Sequence, residues 1–505
     1  MAITEFCPGS QKTKDKKIIT SIGFSPAPMK HSVRHEANNH HIKEISAGIQ
    51  NSPTFTLSKL LIRCRKCGYF KTENVNDDNL EIIACPQCAC VDEKVFENTE
   101  IRTPAAFRTD FSPGEDSTED TDIFFMRPSV LAENVVDLIP EILTHTNSKV
   151  SIARNDLTWR INDTEITGRI CNTKNKFEFT NNWEYNIDEQ WIVEDKIGTQ
   201  INRGDYSFRA IGRENPLQTI KLAASKVTNV FRIMPNEIPK GLNLNPFDPD
   251  AQGVRAAYYS AAFILQRALA EKLDIDPTEI EVADIARRST INNEWVGEIT
   301  LADEAANGSG FVEDLNKNLI HGHNFFEKIL NPEKESTFFG SILSTDHRKC
   351  KSACYKCLQV YRNMPYHGLL DWRLGISLLR VMYDKDYSAG ADGVFETPEL
   401  TDWMEDARLL RNNFFESFFG QYGEVFEMID DQVEDNTPPM IYNCNANRMY
   451  IIVNPLWNRH IPSDNIIGQA VAVAAQKGVI KDDCIFIDTF NLVRRPGWCY
   501  EKIIQ

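Results

Sequence analysis

The stretch GVRAAYYSAAFILQRALAEKLDI, residues 253–275, decides how the chain reads. Val254, Ala257, Tyr258, Ala261, Leu265, Ala268 and Leu269 recur at helical spacing, which predicts a helix with one apolar face set into a core. C-terminal to it, DWRLGISLLRVMYD (371–384) and ELTDWMEDARLLRNNFFESFFGQYGEVF (399–426) read as further helical blocks on either side of a Gly-rich break, SAGADG. N-terminal to it, residues 124–233 alternate in the manner of strands. FEFTNNWEYNI (177–187) and DYSFRAIG (205–212) are candidates, and TIKLAASKVTNVFRI (219–233) is strand-prone with an ambiguous first half. The end of the chain mixes an apolar strand, RMYIIVNPLW, a small-residue helix, IIGQAVAVAAQKG, and a final strand, CIFIDTF. No repeat at solenoid periods is present.

These patterns predict an α+β, multidomain protein. The expected segments are a flexible N-terminal arm over 1–55, a zinc ribbon over 56–100, and a β-rich, mixed α/β middle over 101–235. A helical zinc-binding domain follows over 236–395, then a C-terminal α/β region over 396–505. The arm is polar and holds four of the ten histidines, His31, His35, His40 and His41; without a cysteine at ligand spacing it reads as a solvated tail. In the middle region Glu115, Asp116, Glu119, Asp120 and Asp122 crowd a turn-rich segment that reads as a solvated loop.

Composition narrows the function classes. The 505 residues suggest about three structural units. Hydrophobic residues at 42% and charged residues at 25% exclude a wholly disordered chain. With 55 Lys plus Arg against 72 Asp plus Glu, the net charge of −17 disfavours gripping nucleic acid through the overall field, so any such site must be a local patch. No apolar run of about 18 residues occurs, and the lysine-bearing N-terminus has no apolar segment behind it, which predicts a cytoplasmic protein with no membrane partner. Thiols stay reduced there, so 13 cysteines point to metal sites and buried thiols rather than disulfides.

Two cysteine groups carry chemistry. Cys64-x2-Cys67 and Cys85-x2-Cys88 offer four thiolates as two knuckles, the arrangement that closes a tetrahedral structural Zn²⁺ site. Cys90 is a bystander. In the second group, Cys350-x3-Cys354-x2-Cys357 supplies three thiolates, and a closed site needs a fourth ligand, His347 or alternatively His367. Two Zn²⁺ ions per chain are expected. Around the Cys64–Cys67 knuckle Arg63, Arg65, Lys66 and Tyr69 interleave cations with an aromatic ring, and around the Cys350–Cys357 group Lys351, Tyr355, Lys356 and Arg362 do the same. Such patterns suit phosphate contact and base stacking, and equally suit a solvated charged knuckle.

Enzyme signatures are missing. No Gly-Lys dipeptide occurs, so there is no phosphate-binding G-x4-G-K-[ST] loop, and neither G-x-S-x-G nor H-E-x-x-H appears. Asp303-Glu304-Ala305-Ala306 looks like a helicase acidic box but runs into Asn307-Gly308-Ser309-Gly310, a flexible turn before a helix. Glu427, Asp430, Asp431 and Asp488 are the dispersed carboxylates from which a nuclease site would have to be built. The expectation is a non-catalytic chain.

The stretch DEAANGSGFV (303–312), then Cys350, the cluster Ala353-Cys354-Tyr355-x-Cys357-Leu358, and Tyr361, Asn363, His367, Leu370 and Asp371, resembles the zinc-binding domain at the C-terminus of the MrfA class of DNA-repair helicases. That domain also occurs as a separate protein encoded beside a helicase. With RTPAAFRTDF, LAASKVTNVFRI, RAAYYSAAFILQRALAEKLDIDPTEIE and VNPLW, the chain resembles the DrmB family, helicase-companion subunits of the DISARM anti-phage defence system, over roughly residues 60 to 457. The resemblance implies a non-catalytic partner of an SF2 helicase (DrmA-like) acting on DNA, with Cys350, Cys354 and Cys357 as zinc ligands. Helicase-fused members carry a further cysteine where this chain has Arg348, so His347 or His367 must substitute.

Overall fold

In the computed structural model a long strand runs over Ser148–Thr173, which was not among the candidates, and another over Gln218–Pro235. The ambiguous first half of 219–233 is strand, with Ile220 and Leu222 buried. The structure describes residues 2–14, 16–25, 34–37, 40–43, 53–75, 82–109, 129–132, 140–173, 190–197, 200–203, 206–322, 324–331, 338–420, 425–429, 437–459 and 466–504. FEFTNNWEYNI, His31 and the acidic stretch 115–122 lie outside them. The chain folds as two compact units, 1–134 with 157–226 and 135–156 with 227–505. Together the elements form a mixed α+β protein, as expected.

In the first unit, strands order as Gln11–Lys14, Lys17–Ser25, Gln190–Val193, Ser148–Thr173, Gln218–Pro235, Phe96–Pro104, Phe55–Cys64 and Tyr69–Glu73. The expected arm over 1–55 is corrected in its first part. Ala2–Glu5 is helical, and Lys17–Ser25 pairs with Ala106–Thr109. The reason is apolar burial: Phe24 is wholly buried, its ring 5.0 Å from Trp191, 5.4 Å from Phe55 and 5.6 Å from Phe107. Farther along, Arg34–Ala37 and His40–Lys43 pair antiparallel and carry His35, His40 and His41. The expected ribbon border at 100 falls inside the strand Phe96–Pro104, which pairs along the whole length of Phe55–Cys64.

The second unit is built around the helix Gln252–Leu273. It is buried nearly all round: besides the predicted face, Ala256, Tyr259, Ala262, Phe263 and Ile264 are buried. An all-round apolar helix is a central one, and its alanines let neighbours approach closely. The helix Trp372–Tyr383 does so at Gly375, where an added Cβ would stand 2.8 Å from the Ser260 side chain. On another side Tyr258 donates to the Leu244 carbonyl at 3.0 Å and accepts from Gly297 N–H at 2.9 Å, tying the helix to the strand Trp295–Asp303. That strand pairs with Gln218–Pro235 from Val230 to Ile233.

C-terminal to these, Phe426–Ile429, Met440–Asn443, Arg448–Val453 and Cys484–Asp488 form a sheet in that order, the last pair parallel across the helix Ile466–Gln476. The helix Trp403–Phe419 inserts the buried Arg411, which donates to the carbonyls of Ile429 and Met440. Glu427 pairs with Lys477 at 3.0 Å, while Asp488 accepts from Arg459 and caps the helix Thr489–Arg494. Both carboxylates are thus engaged in structural bonds; Asp430 and Asp431 lie outside the described residues. Among the described residues no helix is long and apolar enough to cross a membrane.

The helicase-box lookalike has a structural part. Asp303 is buried, and its carboxylate accepts from Ser309 and Gly310 N–H at 2.7 Å and from Val312 N–H at 3.1 Å. It caps the helix Phe311–His321 through the turn in which Asn307, Gly308 and Gly310 take positive φ. The expected flexible turn is therefore a pinned one. Asp303→Ala leaves three N–H groups without their acceptor and should destabilise this unit by about 3 kcal/mol or more. Asp303→Asn, which keeps one acceptor oxygen, should lose less. Urea unfolding of the full chain checks this, and an unchanged transition in Asp303→Ala would refute it.

Candidate metal centres

The first centre is a hairpin turn turned into a claw. Phe55–Cys64 and Tyr69–Glu73 pair with Cys64 opposite Tyr69, so Cys64 ends one strand and Cys67 lies in the turn. Gly68 takes φ +71° and its N–H donates to the Cys64 carbonyl at 2.8 Å. The second knuckle repeats this geometry: Ala89, also one residue past the second cysteine, takes φ +52° and donates to the Cys85 carbonyl at 2.9 Å. The four sulfurs lie within 4.8 Å of one another, with Cys64–Cys88 at 3.7 Å and Cys67–Cys85 at 3.5 Å. A tetrahedron of thiolates about 2.3 Å from a zinc ion has edges of about 3.8 Å. The site can hold zinc with no position left open. Cys90 stands outside the group, its carbonyl accepting from Cys85 N–H at 2.9 Å.

Burial pushes the Cys64 thiol up to about 11 and Cys67 higher still. Cys88, against the opposing effect of its own burial, is drawn below the ordinary thiol value by the Cys90 N–H and its three sulfur neighbours. Four thiolates this close need a dication to ionise together.

At the second centre His347 Nε2 and the sulfurs of Cys350, Cys354 and Cys357 lie within 4.8 Å of one another. His347 sits in the turn Thr345–Lys349, and its Nδ1 meets the Ile342 carbonyl at 2.9 Å. That bond places the ring proton on Nδ1 and turns the Nε2 lone pair toward the sulfurs, 3.7 Å from Cys354. His367 is used elsewhere, with Nε2 2.9 Å from Asn363 Oδ1 and 3.1 Å from the Val360 carbonyl. The geometry thus brings His347 to the cysteines and makes His367 a brace of the loop that follows them. Hydrogen bonding from Cys357 holds the Cys350 thiol down at about 4, and the same bond, with burial, pushes Cys357 up. Hydrogen bonding to Cys350 raises the His347 imidazole.

The sequence reading did not find what anchors this loop. Trp372 donates through its indole to the Cys350 carbonyl at 3.0 Å, and Arg373 donates to the carbonyls of Cys350 and Arg348. Both stand at the start of the helix Trp372–Tyr383, capped by Asp371, which accepts from Arg373 N–H at 3.0 Å. The signal was present: Asp before an apolar periodic run marks a helix start, and the two residues after it face the ligand loop.

The candidate nucleic-acid residues separate. Arg63 is corrected: its side chain is 6% exposed and ion-paired with Glu97 and Asp163, while Lys221 also pairs with Glu97. It belongs to a buried network and is not available to phosphate. Arg65 is exposed and reaches Asp163 at 3.2 Å, Lys66 is exposed, and Tyr69 packs half-buried against the cysteines. On the second loop Lys351 is exposed and paired with Asp406, whereas Tyr355, Lys356 and Arg362 all face solvent.

No family model matches the chain, and no curated protein matches it. Among solved structures it is similar to the crystal structure of the DUF1998 helicase MrfA bound to DNA, with a TM-score of 0.24 and 11% identity over 51% of this chain and 25% of that one.

Metal analysis of the purified chain should find two zinc ions. His347→Ala should lose or loosen one of them, and His367→Ala should retain both. Because zinc must displace protons from thiols and imidazole, affinity at both centres should fall steadily with acid. Retention of both ions by His347→Ala with loss in His367→Ala would reverse the ligand assignment.

Proposed function

We propose that the chain is a zinc-braced, non-catalytic subunit that engages DNA beside a DrmA-like SF2 helicase in bacterial antiviral defence of the DISARM type. The observation that carries DNA engagement is the loop around the second centre. Tyr355 and Tyr361 are 70% and 64% exposed and interleave with Lys356 and Arg362 on backbone pinned by three cysteines and a histidine. A rigidly held, exposed aromatic ring stacks on a base for about 1–3 kcal/mol, and neighbouring cations take phosphates. The helicase partner and the defence setting rest on the resemblance of residues 303–312 and 350–371 to the MrfA and DrmB families. The acidic total makes weak DNA binding by the chain alone, and stronger binding with a partner, the expected behaviour.

One observation favours a second reading, a scaffold for a protein partner. Lys351 is paired with Asp406, the Arg362 charge acts on Asp276, and Met364 is exposed beside Tyr361, so this face is amphipathic as well as basic. Fluorescence anisotropy with single-stranded and duplex DNA, at several salt concentrations, with and without the helicase, separates the two. Lys356→Glu with Arg362→Glu should weaken DNA binding about tenfold and flatten the salt slope by about two. Tyr355→Ala with Tyr361→Ala should weaken single-strand binding with little change in slope. Unchanged DNA affinity with loss of helicase association would favour the scaffold.

A further inference from the structure

We infer that the Cys85–Cys88 knuckle of the first centre docks the chain onto its helicase partner, through an aliphatic patch edged by carboxylates. The helicase as partner rests on the reading above; the surface that meets it goes beyond that reading. Among the described residues Ile83 and Val91 are the two most exposed large aliphatic side chains, at 79% and 64%, and they stand on either side of this knuckle. Between them Pro86, Gln87 and Ala89 also face solvent. Aliphatic side chains exposed singly are ordinary on a protein surface, whereas two on one small loop mark a place of contact.

The patch is held in place by its backbone. Cys85 N–H donates to the Cys90 carbonyl at 2.9 Å, so the chain entering the knuckle lies against the chain leaving it. Ile83 stands two residues before that bond and Val91 one after it. On the entering side, Ile82 packs against the buried cysteines and its carbonyl accepts from Asn98 Nδ2 at 3.1 Å. On the leaving side, the Asp92 carbonyl accepts from Phe96 N–H at 2.8 Å and its carboxylate from Lys94 N–H at 3.0 Å. Each exposed aliphatic thus has a tethered neighbour. A surface fixed before binding loses little conformational freedom when its partner arrives.

Charge selects the occupant. From residue 77 to residue 93 the sequence holds the carboxylates Asp77, Asp78, Glu81, Asp92 and Glu93 and no Lys or Arg. Asp92 and Glu93 are exposed immediately after Val91. Four thiolates on zinc leave the knuckle a further net charge of minus two. Such a surface repels phosphates, so nucleic acid is not what it meets. It complements a protein surface that sets an aliphatic socket among Lys and Arg, and a helicase carries such cations where it holds its strand. The two centres then divide the work: the loop of the second faces DNA, and this knuckle faces the enzyme that moves along it.

Surface plasmon resonance between the full-length, zinc-loaded chain and the purified helicase tests the inference. Ile83→Ala with Val91→Ala should weaken helicase binding about tenfold or more, while metal analysis still finds both zinc ions and the chain alone binds single-stranded DNA as before. Ile83→Val, which keeps an aliphatic side chain, should bind the helicase nearly as the unaltered chain does. Glu93→Lys, at an exposed position, should slow association several-fold at low salt, and the difference should fade as salt rises. Helicase binding by the unaltered chain that neither the alanine pair nor Glu93→Lys changes would overturn this inference alone. Absence of helicase binding by the unaltered chain would overturn the helicase reading together with it. Sedimentation that shows the unaltered chain self-associating and the alanine pair monomeric would assign the patch to a second copy of the chain, and would also overturn the inference.

Discussion

Four ligand atoms held within 4.8 Å of one another, at each of two places, set the terms for the residues around them. Thiolates at that spacing repel strongly, and only a dication lets the full set ionise. With zinc, the first centre keeps a formal charge of minus two and the second minus one, from four and from three thiolates respectively. This accounts for cations at both centres without reference to any partner: Arg65 and Lys66 at the first, and Lys349, Lys351 and Lys356 at the second. Arg267, on the central helix, adds its field at Cys357 from inside the fold. The basic character of the knuckles thus begins as compensation, and only the exposed part, Lys356 and Arg362 with Tyr355 and Tyr361, is left to face a partner.

Much of the metal chemistry was legible in sequence because it is local. Spacing alone brought out Cys64, Cys67, Cys85 and Cys88, since a knuckle closes within a few residues and its backbone geometry follows. The choice between His347 and His367 was not legible: both lie near the cysteines in sequence, and it is the Ile342 carbonyl and the Asn363 amide that direct one ring inward and occupy the other. Arg63 misled for a related reason. A cation beside a cysteine looks like a surface residue until strands carrying Glu97 and Asp163 arrive from distant sequence and bury it.

The fold shows the same division. Helices at 252–273, 372–383 and 403–419 were visible from periodicity, which depends on neighbours three and four residues away. The strands of the first 25 residues were not, because their polar composition conceals the burial of Phe24 against Trp191, a partner far along the chain. DEAANGSGFV was conspicuous as a motif, but its reason was not: Asp303 closes a turn and a helix start rather than serving a nucleotide.

The account rests on two zinc centres of unlike composition, one all sulfur and one with a single imidazole. X-ray absorption at the zinc edge on the purified chain tests this most directly. The predicted result is a shell averaging seven sulfurs and one nitrogen over two ions, with zinc–sulfur distances of about 2.3 Å. A shell dominated by oxygen and nitrogen, or one of sulfur alone, would contradict it.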